Sequence, residues 1–155
     1  MSRVQLALNV TDIDEAVTFY SKLFATEPAK VRPGYANFAI ADPPLKLVLI
    51  EDPSREPGSL NHLGVEVETA TEVTAATARL AAEGLTTTVE DEVTCCYAVQ
   101  DKVWVGSPGG EPWEIYTVLA DAEMAGSEAQ GASASDAGCC ASRPNLAGHV
   151  ASSCC

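Results

Sequence analysis

Residues 5–15, QLALNVTDIDE, return in pattern at residues 62–72 as HLGVEVETATE. In the first half of each copy, apolar residues alternate with polar or small ones, a period of two that is typical of a β-strand. The second half of the first copy predicts a helix start, because Asp12 is a plausible N-cap and Glu15 follows it at capping-box spacing. The chain therefore repeats a strand and helix unit.

Each predicted helix is followed by three strand-like segments. Apolar residues at helical spacing continue the first helix to Phe24, and the second helix is predicted from about Thr71 to Ala82, with a stop at Gly84. The predicted strands after the helices cover about 27–32, 35–39 and 45–51 in the first half, and 86–92, 96–105 and 113–118 in the second. The fold class is α+β, with two consecutive βαβββ modules at about 1–55 and 60–120. We expect the modules to pair and enclose a metal cleft, because each alone has a half-exposed sheet.

Composition limits the architecture and the partners. A chain of 155 residues with 46% hydrophobic content has room for one sizeable core, which we place at residues 1–120. Residues 121–155 are rich in Ala, Ser and Gly and contain no aromatic residue, so we expect a disordered tail. The formal net charge of -13 argues against nucleic acid and membrane partners and favours a small molecule.

The amino terminus and the apolar segments indicate a cytoplasmic location. The first residues enter a strand pattern without an apolar signal region, and no run of about 18 apolar residues occurs. In a reducing cytoplasm, cysteines more often bind metals or act in catalysis than form disulfides.

All six cysteines occur as adjacent pairs: Cys95-Cys96, Cys139-Cys140 and Cys154-Cys155. Neighbouring Cα atoms are about 3.8 Å apart, which is below the roughly 4.4 Å minimum of ordinary disulfides. Such a pair is better suited to hold a soft metal or metalloid through two thiolates. Because side chains alternate along a strand, joint binding by the first pair requires a loop or bulge within residues 94–97. The simpler interpretation is two small core residues.

Three polar residues form a candidate metal site. The chain has two histidines, and His149 lies in the tail, so His62 is the histidine of the folded part. The repeat places Gln5 at the equivalent position of the first module, and Glu114 interrupts an apolar and aromatic strand, where an inward carboxylate needs a partner. These three residues leave open positions on a metal ion for water, oxygen or substrate. The alternatives are a strand-end histidine, an exposed glutamine and a carboxylate facing water.

The module pattern and several motifs resemble known families. Two βαβββ halves with ligands on first and last strands resemble the vicinal-oxygen-chelate superfamily of glyoxalases, extradiol dioxygenases and fosfomycin-resistance enzymes. Five segments are similar to the arsenic-inducible carbon-arsenic lyases, a family that includes cadmium-induced proteins: NVTDIDEA (9–16), GYANF (34–38), LNHLGVE (60–66), TCCY (94–97) and KVWV (102–105). The resemblance covers about residues 1–120.

The resemblance implies a non-haem Fe(II) enzyme that uses dioxygen to cleave trivalent organoarsenicals, such as methylarsonite and aromatic arsenicals, to arsenite. By that similarity, Gln5, His62 and Glu114 are the iron ligands, and Cys95 and Cys96 bind arsenic. Open positions on a site of this kind are typical of oxygen-activating Fe(II). The resemblance leaves open whether the protein is a monomer or a homodimer.

Two alternatives remain open at this point. One is a binding protein that sequesters cadmium, zinc or arsenite without turnover, and the other is a glyoxalase-like or thiol-transferase metalloenzyme. Among the remaining residues, Tyr97, Trp104 and Tyr116 are expected to be packing residues, and Lys102 is expected to be a solvated charge. The tail cysteines Cys139, Cys140, Cys154 and Cys155 could capture a metalloid but have no predicted reaction partner.

Overall fold

A computed structural model describes residues 2–123, and within them the βαβββ pattern occurs twice in chain order. The elements are β1 (Arg3–Val10), α1 (Ile13–Phe24), β2 (Lys30–Arg32), β3 (Tyr35–Ile40), β4 (Leu45–Glu51), β5 (Leu60–Glu66), α2 (Ala70–Ala82), β6 (Thr87–Cys95), β7 (Ala98–Gly106) and β8 (Pro112–Asp121). The predicted α+β class and element order are confirmed. Neither of these helices is long and apolar enough to cross a membrane.

The first of two compact units spans Met1–Glu66 and contains five strands. Their order is β2-β3-β4-β1-β5, with β1 parallel to β4 and antiparallel to β5. The repeat assigns β5 to the second module, whereas its pairing with β1 places it in this unit. Asp12 caps α1 as predicted, because its side chain accepts a hydrogen bond from the Glu15 amide.

The two faces of β1 have different partners. Leu6, Leu8 and Val10 pack with residues of α1 against the apolar cluster of β3 and β4. The opposite face carries Gln5 and Asn9, which are only 4% and 2% exposed. The period of two correctly predicts the strand, but the polar face is the more deeply buried one. A buried polar face requires partners for its side chains.

The second unit begins at Val67 and contains α2 and three strands in the order β8-β7-β6. Val73 and Leu80 of α2 pack on Val103 of β7. β8 ends at Asp121, past the predicted end of this strand at residue 118, and the Ala122 amide donates to the Tyr97 carbonyl at 2.9 Å. The remainder of the predicted tail, with its cysteine pairs and His149, lies outside the described residues.

The start of α2 permits a test of local stability. Thr69 and Glu72 form a complete capping box, in which each side chain accepts from a backbone amide of the other residue. We expect Thr69→Ala to lower the free energy of unfolding by about 1 kcal/mol, measured by urea denaturation. The control is Thr74→Ala on the same helix, which removes only a hydrogen bond to the Ala70 carbonyl. An equal loss in both variants would contradict the capping role.

Candidate functional site

Gln5 and His62 are brought together by the antiparallel pairing of β1 and β5. The register places Gln5 opposite Gly64 and Ala7 opposite His62. The Nε2 atoms of Gln5 and His62 are 2.9 Å apart, and the two residues are buried. The structure therefore brings together the two residues that the repeat relates, in the interior of the first unit.

The second ring nitrogen of His62 contacts the residue that precedes it. Nδ1 of His62 is 2.7 Å from Oδ1 of Asn61. The Asn61 amide donates to Oδ1 of Asn9 at 2.8 Å, and the Asn9 amide donates to Oγ of Ser59 at 2.9 Å. A continuous line of side-chain hydrogen bonds therefore runs from Ser59 to His62. This line of hydrogen bonds was not predicted from the sequence, although Asn9 shares the face of β1 with Gln5 and could have been found from that spacing.

Glu114 lies in the second unit and is paired with a lysine. It is 2% exposed, and its Oε2 accepts a hydrogen bond from Nζ of Lys102 at 3.0 Å. The expectation that an inward carboxylate needs a partner is confirmed. The expectation that Lys102 is a solvated charge is wrong, because this residue is 1% exposed. Its strand, β7, lies between β6 and β8 in the order of this unit.

The pKa of Lys102 depends on opposing effects. Burial alone lowers it, but the Glu114 carboxylate and then Cys95 and Cys96 outweigh burial, so the pKa lies above its ordinary value of 10.5. The lysine therefore stays charged at neutral pH. Its Nζ also lies 5.3 Å from the ring centroid of Trp104, within cation-π range. One buried cation thus contacts a carboxylate and interacts with both thiols.

Cys95 and Cys96 lie at the tip of the β6–β7 hairpin. Cys95 pairs with Ala98, and the two residues between them, Cys96 and Tyr97, have φ of +50° and +63°. Positive φ at both central residues defines a type I′ turn, whose twist matches that of the flanking strands. The loop that joint binding requires is therefore present, and it brings the two sulfur atoms to 3.2 Å from each other. This exceeds the roughly 2.05 Å of a disulfide bond.

The aromatic residues of the second unit pack as expected. Tyr116 is fully buried, and Tyr97 and Trp104 are each 9% exposed. The indole nitrogen of Trp104 donates to Glu90 at 3.2 Å. Gln100, two residues before Lys102 on β7, is buried, and its Oε1 has no hydrogen-bond partner among residues 2–123. A buried acceptor without a partner, on the same face of β7 as Lys102, could accept a hydrogen bond from a ligand.

The donor atoms of Gln5 and His62 fit a metal ion. In residues 2–123, no group of three His, Cys, Asp or Glu side chains could hold a metal, so a metal set here needs the Gln5 amide. If the side-chain amide group of Gln5 rotated by about 180°, its oxygen would occupy the position that Nε2 has now, 2.9 Å from Nε2 of His62. An imidazole nitrogen and an amide oxygen side by side would be suitable donor atoms for a divalent ion.

Comparisons with known proteins agree on one family. The profile of the Glyoxalase/Bleomycin resistance protein/Dioxygenase superfamily matches residues 3–115. A cadmium-induced protein, CadI, of Mycobacterium tuberculosis is 66% identical over 127 residues, which is 82% of this chain and 83% of that protein. A trivalent organoarsenical cleaving enzyme of Thermomonospora curvata is 59% identical over 143 residues, 92% of this chain and 91% of the enzyme.

Solved structures show the same fold. An extradiol ring-cleaving dioxygenase from B. fuscum superposes with a TM-score of 0.56 at 21% identity. The match covers 78% of this chain and 34% of the dioxygenase. At this level of identity, the likeness concerns the fold alone.

Proposed function

This chain belongs to the Glyoxalase/Bleomycin resistance protein/Dioxygenase superfamily, and within it we propose that the protein is a non-haem Fe(II), dioxygen-dependent carbon-arsenic lyase. Its substrates are trivalent organoarsenicals, such as methylarsonite and aromatic arsenicals, and its product is arsenite. The observation that carries the proposal is the hairpin tip, where Cys95 and Cys96 hold two sulfur atoms 3.2 Å apart beside the charge of Lys102.

The two thiols bind arsenic in this proposal. Trivalent arsenic with one organic group has two exchangeable valences, and adjacent thiolates fill both. The type I′ turn orders the backbone of both cysteines before substrate arrives, so little conformational entropy is lost on binding. With two points of attachment, the organic group has a defined direction, which is the condition for reaction with a bound partner.

The metal ligands are Gln5, His62 and Glu114. When bound, ferrous iron supplies the activation of dioxygen. The His62 ring and the Gln5 amide lie side by side, with their Nε2 atoms 2.9 Å apart. Lys102 orients the Glu114 carboxylate through its 3.0 Å hydrogen bond. This ion pair keeps the buried carboxylate compensated.

The overall reaction balances without another reductant. Methylarsonite and one dioxygen contain the atoms of one arsenite and one formaldehyde, because carbon is oxidised while dioxygen is reduced. We therefore expect one dioxygen to be consumed for each arsenite released. For an aryl group the balance includes one water, because phenylarsonite, one dioxygen and one water contain the atoms of one arsenite and one dihydroxybenzene.

The decisive experiment compares two atmospheres. We expect the Fe(II)-loaded protein to release arsenite from methylarsonite in air and not under nitrogen, with arsenic species separated by chromatography and quantified. The metal-free protein in air is the control. Equal release under both atmospheres, or release in neither, would exclude an oxygenase.

The alternative of a sequestering protein is favoured by one finding, the 66% identity to a protein named cadmium-induced. The hairpin tip argues against a tetrahedral ion, because two sulfurs on such an ion with bonds of about 2.3 Å are about 3.8 Å apart. The separation in the structure is 3.2 Å, which fits the narrower angles of trivalent arsenic better, whether in an organoarsenical or in sequestered arsenite. Sequestration predicts stoichiometric binding of cadmium, zinc or arsenite without cleavage of methylarsonite, so the two atmospheres also separate these functions.

Net charge and thiol chemistry bear on the class of substrate and on the cellular compartment. The net charge of -13 supports a small-molecule substrate rather than nucleic acid or an anionic membrane. The thiols of the hairpin need a reducing compartment to stay available, which supports the cytoplasm. We assign arsenic detoxification as the biological role.

A further inference from the structure

We propose that the backbone carbonyl of Ser59, acting through Asn9 and Asn61, fixes His62 as the tautomer with the proton on Nδ1 and the lone pair on Nε2. Asn61 and Asn9 are therefore positioning residues for the metal ligand. The inference rests on the proposed function for its purpose, but the hydrogen bonds that support it all lie in the first unit. It assigns a role to two residues that the sequence analysis did not single out.

The direction of each hydrogen bond follows from one group that can only accept. The carbonyl oxygen of Ser59 lies 3.4 Å from Nδ2 of Asn9, and the opposite orientation of the amide would place two oxygen atoms against each other, so the nitrogen takes this side. The same nitrogen donates to Oγ of Ser59 at 2.9 Å. Oδ1 of Asn9 must then face the other way, toward Asn61.

The hydrogen bonds from Asn9 to His62 have directions that follow in the same way. Because Oδ1 of Asn9 is an acceptor, Asn61 presents its amide nitrogen to it, at 2.8 Å. Oδ1 of Asn61 then faces Nδ1 of His62 at 2.7 Å, and only a protonated nitrogen can donate to it. In the neutral ring this leaves Nε2 with its lone pair, which now accepts from the Gln5 amide at 2.9 Å.

A β-bulge makes this arrangement possible. The register of β1 and β5 shifts between Ala7, which pairs with His62, and Leu8, which pairs with Leu60. Asn61 is thus the extra residue on β5, and a bulge changes the direction of a side chain that would otherwise point to the opposite face of the strand. The Asn61 side chain reaches the ring of its own neighbour for this reason.

The backbone next to the bulge is held in place on both sides. The backbone N–H of Asn9 donates to the backbone carbonyl of Ser59 at 2.9 Å, and the backbone N–H of Gly58 donates to the backbone carbonyl of Asn9 at 2.8 Å. Asn9 is only 2% exposed, so water does not compete for its hydrogen bonds. A histidine ligand with its second nitrogen bonded to an acceptor of this kind has a fixed ring orientation and tautomer.

The first test reads the tautomer in the metal-free protein. Long-range proton-nitrogen NMR at a pH where the ring is neutral distinguishes the two nitrogens, and His149→Ala removes the signals of the second histidine in the chain. We expect the proton of His62 on Nδ1. A proton on Nε2 in this spectrum would overturn the inference, whether or not the protein cleaves organoarsenicals.

The second test follows the line of hydrogen bonds by substitution. Asn61→Leu removes the acceptor at similar volume, and we expect mixed tautomers and an Fe(II) dissociation constant raised about 10- to 100-fold, titrated under nitrogen. Asn9→Leu removes the acceptor that faces Asn61 and is expected to act in the same direction. The matched control is Asn37→Leu, which loses only a hydrogen bond to the Tyr35 hydroxyl.

The outcomes separate this inference from the proposed function. An unchanged tautomer and unchanged Fe(II) affinity in Asn61→Leu would overturn the inference even if arsenite is released in air. Absence of arsenite release with the expected tautomer pattern would remove the lyase and leave the inference standing. If Asn61→Leu does not fold, the wild-type spectrum and Asn9→Leu still decide the matter.

Discussion

Replacement of Cys95 or Cys96 by serine is expected to lower the rate of arsenite release by about 100-fold or more while leaving the protein folded. A single remaining thiolate holds arsenic at one point, so the organic group loses its fixed direction, and misplacement by about 1 Å can cost 100-fold in rate. Serine preserves size and the turn. The measurements are arsenite release in air and Fe(II) affinity, and the affinity should change little.

The control uses a second cysteine pair of the same chain. Cys139→Ser with Cys140→Ser removes two thiols that have no part in the proposed site, so wild-type turnover is expected. A truncation after Glu123 removes all the tail cysteines and keeps β8, which ends at Asp121. Loss of turnover in these controls, or normal turnover in either hairpin variant, would mean that the arsenic ligands are assigned to the wrong pair.

Lys102→Met is expected to have the largest effect on stability. Removing one partner of a buried ion pair leaves an uncompensated charge, which costs about 3–5 kcal/mol of unfolding free energy. The side chains of Lys102 and Glu114 are 1% and 3% exposed. The measurement is denaturation with a chelator present, so that no metal replaces the missing cation. Adding Glu114→Gln to the same chain should restore a large part of the loss.

The matched control for this prediction is Lys46→Met in the first unit. Lys46 Nζ is 3.8 Å from Glu66 Oε1, and the side chains are 10% and 19% exposed, so this pair is longer and better hydrated. We expect a clearly smaller loss. Equal losses, or a Lys102→Met variant as stable as the wild type, would contradict the coupling of Lys102 and Glu114.

The pH dependence of the Lys102 contribution has a definite sign. A lysine with a pKa raised above 10.5 in the folded state stabilises the fold fully below that pH, and loses the contribution only as pH rises through the higher folded value. The stability difference between wild type and Lys102→Met should therefore not shrink between about pH 7 and pH 10 on account of this group.

Much of the fold could be predicted from the sequence because the repeat fixes the order of the elements. The bounds of β4 were predicted correctly, and the hairpin loop at residues 94–97 followed from the alternation of side chains along a strand. The strand order could not be predicted, because hydrophobic periodicity does not encode which strands pair. The parallel contact of β1 with β4 is such a case.

The candidate site could be predicted only in part. Gln5 and His62 followed from their equivalent positions in the repeat, whereas Lys102 was misassigned because a lysine on an alternating strand ordinarily faces water. Its burial depends on Glu114, which is distant in sequence and adjacent only across the pairing of β7 and β8. Asn61 was missed for a different reason, since the bulge lies next to the first residue of β5 and too few residues precede it for the shift in alternation to show.

At Cys96 and Tyr97, the residues that would stabilise the turn differ from the residues that the proposed function needs. Left-handed backbone at a residue other than glycine costs about 1–3 kcal/mol, and both residues have it. An Asn-Gly pair is the usual choice for this turn. A redesign that selects only for thermal stability would therefore favour Asn-Gly here and remove one of the two sulfurs, so a more heat-resistant variant of this chain is not by that fact a better one.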